Sequence, residues 1–442
     1  MIAFETFKNL TRVQIVSKGE VSLPQMFPGV FTDSRKIIKG GIFCALKGDR
    51  FDGHDFVAES LSKGAAGAIV HPESISRFED LLGDFNFLCG VPDTLKALQE
   101  LANFHRRRFS IMVIAITGTN GKTSTKDMIS LVLSQKNKVL KTPGNFNNQI
   151  GLPLTLFELD KTHEIAVVEM GANHRGEITE LCRIAEPNVG VITNIGRGHL
   201  EYFGSIEGVV QAKTELLRAL KKPAMSFLNG DDPALKSFVS TVPKTHRFGL
   251  DEGNDFTGKI LDRSSSGCAK FQIGERSPIQ LRVPGTGQVY NALAAYAVGE
   301  MFNVSHDTIK AGLESFTGSS LRGLWMEWKG IRIFNDSYNA NPDSLQNALN
   351  LIAETSLQPG CRRIAVLGDM LELGEHSIQE HRRMGMAAAG AQCNIVYTYG
   401  KHSEEVSKQA AIDGVPETQH FTDKRILADQ LKKKFKTAIF CC

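Results

Sequence analysis

Apolar positions along this chain follow two rhythms, and the change from one to the other marks its elements. Ile111-Met-Val-Ile-Ala-Ile116 is an unbroken apolar run of strand length. Ile165-Ala-Val-Val168, Val189-Gly-Val-Ile192, Ile331-Arg-Ile-Phe-Asn-Asp336, Arg363-Ile-Ala-Val-Leu-Gly-Asp369 and Cys393-Asn-Ile-Val-Tyr397 repeat the signal, as the strands of a sheet covered on both faces do. Between them apolar residues return at helical spacing: Val209, Leu216, Leu217 and Leu220 within 207–220, an alanine-rich helix opening after Val283, and Leu345, Leu349 and Ile352 after Asp343. This alternation predicts an α/β protein. Its central unit has a mostly parallel sheet with helices on both faces, and a second nucleotide-fold-like, Rossmann-like unit follows. The N-terminal region reads as a smaller α/β unit of short strands, such as Ile42 to Leu46, and glycine-punctuated turns. It ends in a helix over 93–109 with Leu95, Leu98, Leu101 and Ala102 on one side. Residues 251–287 read as a Gly/Ser-rich meander. Three domains are therefore expected, at 1–109, 110–315 and 316–442, as a chain of 442 residues also suggests.

Chemistry enters where the first central strand breaks into Thr117-Gly-Thr-Asn-Gly-Lys-Thr-Ser124 and a helical pattern begins. Strand, glycine loop, Gly-Lys-Thr and helix are the layout of a phosphate-binding loop. Gly118 and Gly121 let backbone N–H groups turn around an anion, with Thr119 and Asn120 between them. The helix N-terminus adds its positive end, Lys122 reaches terminal phosphates, and Thr123 can hold Mg²⁺. One departure from the common spacing is that Ile116, not glycine, stands five positions before Gly121. The account therefore predicts ATP binding in a P-loop ATPase-like central domain.

Ligands of parallel sheets bind beyond the carboxyl ends of the strands, and two further strands end there in polar residues. Glu169 follows Val168, and Thr193-Asn-Ile-Gly-Arg-Gly-His199 follows Ile192. Glu169 is expected as a Mg²⁺ ligand beside Thr123. For His199 a metal role and a loop-capping role both stand, because imidazole is an unusual Mg²⁺ ligand. Lys213 falls on the apolar stripe of the 207–220 helix, where a lysine normally snorkels its ammonium outward. Beside a metal and phosphates the alternative is a partly desolvated amine that takes up CO₂ as a carbamate and becomes an anionic metal ligand. Asn291, early in the alanine-rich helix, reads as a contact to an adenine edge or as a cap. In the N-terminal domain, N–H groups near Gly48 and Gly53, with Ser34 and Arg35, are either a diphosphate or uracil site or an ordinary surface turn.

Composition narrows the partners. A net charge of +3 with 22% charged residues requires no polyanion, and Arg106-Arg107-Arg108 reads as a solvated helix end and not as a nucleic-acid arm. Eight cysteines without Cys-x-x-Cys or metal spacing read as buried thiols of a reducing compartment. No apolar run reaches the roughly 18 residues of a membrane span, and the N-terminus has no basic segment followed by an apolar core. A cytoplasmic, monomeric protein with no membrane insertion is expected.

Taken together, the loop, Thr142-Pro-Gly-Asn-Phe-Asn-Asn-Gln-Ile-Gly-Leu-Pro153, Glu169-Met-Gly-Ala-Asn173, Thr193 through Glu201, and Asp336-Ser-Tyr-Asn-Ala-Asn-Pro342 resemble the Mur ligases of bacterial cell-wall synthesis over nearly the whole chain. Within that family they resemble the branch that adds a dipeptide. The resemblance implies an ADP-forming ligase that joins D-alanyl-D-alanine to UDP-N-acetylmuramoyl-tripeptide through an acyl phosphate. In it the first domain takes the UDP-sugar, the central one ATP, and the last closes over both. It further implies that Thr123 and Glu169 hold one Mg²⁺, while His199 and carbamylated Lys213 serve a second. By the same resemblance Ser124 belongs to the ATP loop, and Asn291, Arg322 and Asp336 contact the nucleotide. Ser34 and Arg35 lie near the UDP moiety. Asn145 and Asn148 mark the dipeptide branch, and Tyr338, Asn339 and Asn341 help place the dipeptide. The alternatives are a sibling ligase adding a single amino acid to a UDP-muramoyl or folate substrate, and a silent ATP-binding homologue. The second draws on the family's continuation past Thr437 to Phe440 into a basic Lys-Gly-Ser-Arg-like segment, for which this sequence has no counterpart.

Overall fold

The structure, a computed structural model, describes residues 1–18, 26–83, 86–319, 321–357, 359–434 and 439–441. Among these residues three substantial sheets follow one another along the chain. In the first, Val30–Phe31, Ile42–Cys44, Gly67–Val70 and Phe87–Gly90 are parallel, and Gln14–Ser17 adds antiparallel at the edge. The strand expected to reach Leu46 stops at Cys44. There the backbone turns back on itself, Gly53 N–H donating to Leu46 O at 2.8 Å.

The helix expected over 93–109 spans Thr94–Arg106. The Asp93 carboxylate caps it by accepting from Lys96 N–H at 2.9 Å, and Leu98, Leu101 and Ala102 are buried. It packs on the helices Gly151–Leu156 and Glu177–Ala185 of the central unit, joining the two. The expectation of a solvated end at Arg106 is corrected here. Its side chain is buried and donates to the carbonyls of Ala185 and Phe109, both at 2.9 Å. The guanidinium satisfies chain ends in the interior that a helix terminus otherwise leaves unpaired.

In the central sheet Met112–Thr117 lies between Ile165–Glu169 and Val189–Ile192, parallel to both. The strands stay parallel from Val139–Lys141 at one edge through Phe256–Arg263. The predicted meander then completes the sheet as the antiparallel strands Cys268–Ile273 and Ile279–Pro284. The period of two along a strand sorts side chains between two cores. Ile114 and Ile116 pack with Met128, Ile129 and the alanine-rich helix Thr286–Met301, whereas Val113 and Ala115 pack with Leu181 and Leu216 on the opposite face. With both faces covered, the polar residues at the carboxyl edge are the open part of the sheet.

The last sheet is parallel apart from its first strand, Leu324–Trp328, which pairs antiparallel with Ile331–Asn335. Ile439–Cys441 inserts between Ile331–Asn335 and Arg363–Gly368, while Thr437 and Ala438, the start of the predicted terminal strand, lie outside the described residues. Two cysteines depart from the buried-thiol expectation: Cys268 and Cys361 are only partly covered, whereas Cys44, Cys89, Cys182 and Cys393 are buried. No helix among the described residues is long and apolar enough to cross a membrane.

Candidate active site

The strand Met112–Thr117 delivers the chain to the open edge, and the helix Lys122–Leu133 carries it away. Between them Gly118 and Gly121 have φ of +144° and +78°, and a Cβ on either would collide with Thr193 Oγ1 or Asn291 Oδ1 respectively. The loop is stitched to the neighbouring strand end. Asn194 O accepts from Thr119 N–H at 3.0 Å, Asn194 Oδ1 from Asn120 N–H at 2.9 Å, and Thr193 Oγ1 donates to Asn120 O at 2.6 Å. Those bonds fix the curl and leave the first-turn N–H groups of the helix, which lack intrahelical partners, to face an anion. Lys122 folds back over the loop, its Nζ donating to Gly118 O and Thr119 O at 2.9 Å each. Burial lowers its pKa; the Glu169 charge opposes that shift and Arg322 adds to it.

Thr123 Oγ1 donates to Glu169 Oε2 at 2.9 Å, and Glu169 is 1% exposed. Its other oxygen accepts from Asn147 Nδ2 at 2.7 Å. Asn147 is a site residue that sequence reasoning passed over, although it stands inside the Asn145-Phe-Asn-Asn148 stretch. So is Lys126, one turn after Lys122. Its buried Nζ donates to Thr142 O at 2.8 Å and Gly144 O at 3.1 Å and so holds the segment that carries Asn147. Among the described residues no group of three or more His, Cys, Asp or Glu forms a metal cage. One buried carboxylate, one hydroxyl and a phosphate loop are the donor set that suits Mg²⁺, which keeps phosphate and water ligands.

His199, at φ +57°, lines the cavity, and its Nδ1 is bonded to the Glu372 carboxylate of the last domain. Burial lowers the imidazole pKa against the pull of Glu372, with Lys213 and Lys122 adding to the lowering. Lys213 does not snorkel. Its side chain is on the inward face of the helix Ile206–Ala219 at 2% exposure, with Nζ 3.4 Å from Ala172 O and 5.5 Å from the Phe203 ring centroid. Burial first, then the Lys122 charge, pushes its pKa down to about 7.

The site opens on a cavity of about 1050 Å³ to which all three domains contribute. Lys122, Ser124, Glu169, His199 and Asn291 line it from the central domain. Arg322, Asp336, Tyr338, Asn339 and Asn341 line it from the last, and Leu95 from the first; Asn145 and Asn148 lie on its wall. Gly118, Thr123 and Lys213 stand behind that lining. The Arg322 guanidinium stacks 3.7 Å from the Tyr338 ring centroid, and burial raises the Asp336 carboxyl to about 6 against Gly323 N–H and Arg322.

Asn291 is not the N-cap of its helix, a position held by Gly285. Its amide accepts from Thr125 Oγ1 and donates to Gln288 Oε1, both at 3.1 Å, and buttresses the loop from behind Gly121. Asn341 caps the helix Pro342–Glu354 and exchanges amide hydrogen bonds of 2.7 and 3.2 Å with Asn120. Next to it Asp343 accepts from Arg197 N–H at 2.6 Å and from its guanidinium at 3.1 Å.

Ser34 and Arg35 lie apart from the cavity lining. Arg35 is exposed and paired with Asp33 at 2.8 Å. The N–H groups expected to hold a diphosphate there are already engaged, Gly48 with Phe51 O at 2.9 Å and Gly53 with Leu46 O at 2.8 Å, so the surface-turn reading fits those two glycines.

Against known families, residues 27–106 match the Mur ligase family catalytic domain, 116–299 the Mur ligase middle domain and 322–438 the Mur ligase glutamate ligase domain. UDP-N-acetylmuramoyl-tripeptide--D-alanyl-D-alanine ligase of Bacillus subtilis is 36% identical over 437 residues, covering 97% of this chain and 92% of the relative. Among solved structures, MurF from Acinetobacter baumannii superposes with a TM-score of 0.85 at 30% identity, covering 100% of this chain and 94% of that one. MurF from Thermotoga maritima in complex with ADP gives 0.80 at 30% identity, with 93% of each chain covered. With three consecutive domain matches and a relative of this extent, the chain belongs to the Mur ligase family.

Proposed function

We propose that this chain is an ATP-dependent ligase that joins D-alanyl-D-alanine to UDP-N-acetylmuramoyl-tripeptide, releasing ADP and phosphate, in the cytoplasm where both soluble nucleotides are supplied. The observation that carries the reading is the single cavity in which a phosphate loop and the buried Glu169 face residues of the other two domains. Relatives named for this reaction, similar over nearly their whole length, support it. The domain limits at 109/110 and 315/316 are part of the same reading.

In this account a carboxylate oxygen of the tripeptide attacks the γ-phosphorus of ATP, ADP leaves, and an acyl phosphate forms. The neutral amine of the dipeptide attacks that carbonyl carbon. The tetrahedral intermediate expels phosphate, and the amine proton is lost to solvent or a nearby base. Lys122 and the first-turn N–H groups hold the β- and γ-phosphates in line and offset their charge. Thr123 and Glu169 would hold Mg²⁺, with Asn147 fixing the carboxylate, and bound metal would neutralise charge developing on the phosphate oxygens. Asn291, Arg322 and Asp336 border the nucleotide, Tyr338, Asn339 and Asn341 the dipeptide, and Ser34 and Arg35 the UDP end.

Lys213 is carbamylated in this reading. Its neutral amine attacks CO₂, a proton leaves, and the resulting N-carboxylate would serve a second Mg²⁺ with His199. The support is a buried amine with one long hydrogen bond and a pKa near 7, which needs little energy to lose its charge. Mass analysis of the product decides the acceptor. D-alanyl-D-alanine should appear as one amide-linked addition, whereas product formed with a single amino acid would reassign the chain to a sibling ligase.

A further inference from the structure

Glu372 stands in the short turn between the strand Arg363–Gly368 and the helix Ser377–Gly390, and it was not among the residues the sequence pointed to. Its φ is +61°, a left-handed conformation that glutamate seldom adopts and that persists only where the surroundings enforce it. They do so here. The Asp369 carboxylate accepts the N–H groups of Lys401, His402 and Ser403 at 2.7, 2.9 and 2.7 Å. Met370 N–H donates to Nε2 of the buried His381 at 3.1 Å, and Met370 and Leu373 are themselves buried. The rigid turn meets a second left-handed residue, His199, across the domain boundary. Glu201 N–H donates to Glu372 O at 3.0 Å, and the Glu372 carboxylate bonds His199 Nδ1.

We propose that Glu372 is a positioning residue, supplied by the last domain, that fixes the tautomer and ring orientation of His199 when that domain is docked. An ionised carboxylate has only acceptors, so the ring nitrogen it meets must carry the hydrogen. In neutral His199 the lone pair is then on Nε2, the nitrogen Glu372 does not occupy. A histidine held this way keeps Nε2 as its one acceptor, the nitrogen with which it would serve Mg²⁺ in the ligase reading, and loss of such an outer partner typically costs a site about 10–100-fold. Contact between the last and central domains thereby becomes part of completing the site. The backbone bond from Glu201 docks the turn without the side chain, so docking alone does not account for a glutamate in a conformation that suits glycine.

The inference rests on the ligase reading, and the test separates the two. Glu372→Gly suits the left-handed backbone and should melt no lower than the wild type, yet lose about 10–100-fold in kcat with KM for ATP unchanged. Glu372→Gln keeps a carbonyl acceptor and should recover most of the loss. ¹⁵N-histidine spectra of the protein bound to a non-hydrolysable ATP analogue and UDP-muramoyl-tripeptide should show His199, assigned by its absence in His199→Gln, as the Nδ1–H tautomer. In Glu372→Gly that preference should be lost. Wild-type kcat in Glu372→Gly, or an Nε2–H tautomer in the wild-type complex, overturns the proposal. Absence of ligation by the wild type would overturn the ligase reading and leave the tautomer to decide this one.

Discussion

Two lysines, close enough for the charge of Lys122 to act on Lys213, stand under opposite demands in the proposed mechanism. In that mechanism Lys122 stays cationic over the phosphates, so Lys122→Ala should reduce turnover by at least about 10²–10³-fold with the melting temperature unchanged. A variant with near wild-type turnover would remove the loop from the mechanism. Lys213, in the same proposal, sheds its charge. Because its pKa is pushed down to about 7, the unfolded chain holds a proton that the folded chain has released from there up to the ordinary lysine range, and stability rises with pH across that window. Lys213→Met should flatten the rise in urea titrations made on either side of the window. Lys213→Ala should lose most activity, and short carboxylic acids should restore part of it by occupying the space of the carbamate. An equal rise in the Met variant, or full activity of Lys213→Ala, contradicts this account. The inward aim of Lys213 was legible because one residue on an apolar stripe breaks a regular pattern. Asn147, Lys126 and Glu372 were not, because their roles depend on partners 22, 16 and 173 positions away, and no local spacing records those.

At the scale of the element, the loop between Met112–Thr117 and Lys122–Leu133 works only with glycine where its backbone is left-handed and its neighbours are close. Gly118→Ala should abolish the thermal shift that ATP and Mg²⁺ produce. Gly390→Ala, at a helix end where an added Cβ meets nothing within 4 Å, should leave that shift intact and raise stability by about 0.5–1 kcal/mol. An ATP shift that survives Gly118→Ala would mean that the nucleotide sits elsewhere. Buried central strands were readable as apolar runs because both their faces are covered. Glu417–Phe421 was not, since an edge strand with Thr, Gln and His carries no such run, and Leu324–Trp328 passed unread beside the Gly-containing turn that follows it.

Over the whole molecule, the last domain touches the phosphate loop through Asn341 and Asn120, and the neighbouring 193–199 segment through Asp343 with Arg197 and Glu372 with His199. Asn341→Ala removes a helix cap and one of these links together. It should cost about 1 kcal/mol of stability and leave the substrate-bound protein more extended in X-ray scattering than the wild type; an unchanged profile would show that the link does not hold the domains. The α/β class and its order along the chain were plain from the strand-helix alternation, but the placing of the last domain over the phosphate loop was not, because that contact joins side chains from separate units. The central claim is that ATP phosphorylates the tripeptide carboxylate before the dipeptide amine attacks it, and isotope transfer tests it directly. With the carboxyl of UDP-muramoyl-tripeptide labelled with ¹⁸O, complete turnover with ATP, Mg²⁺ and D-alanyl-D-alanine should release phosphate carrying one ¹⁸O atom. Phosphate released without the label, alongside amide product, would contradict the account.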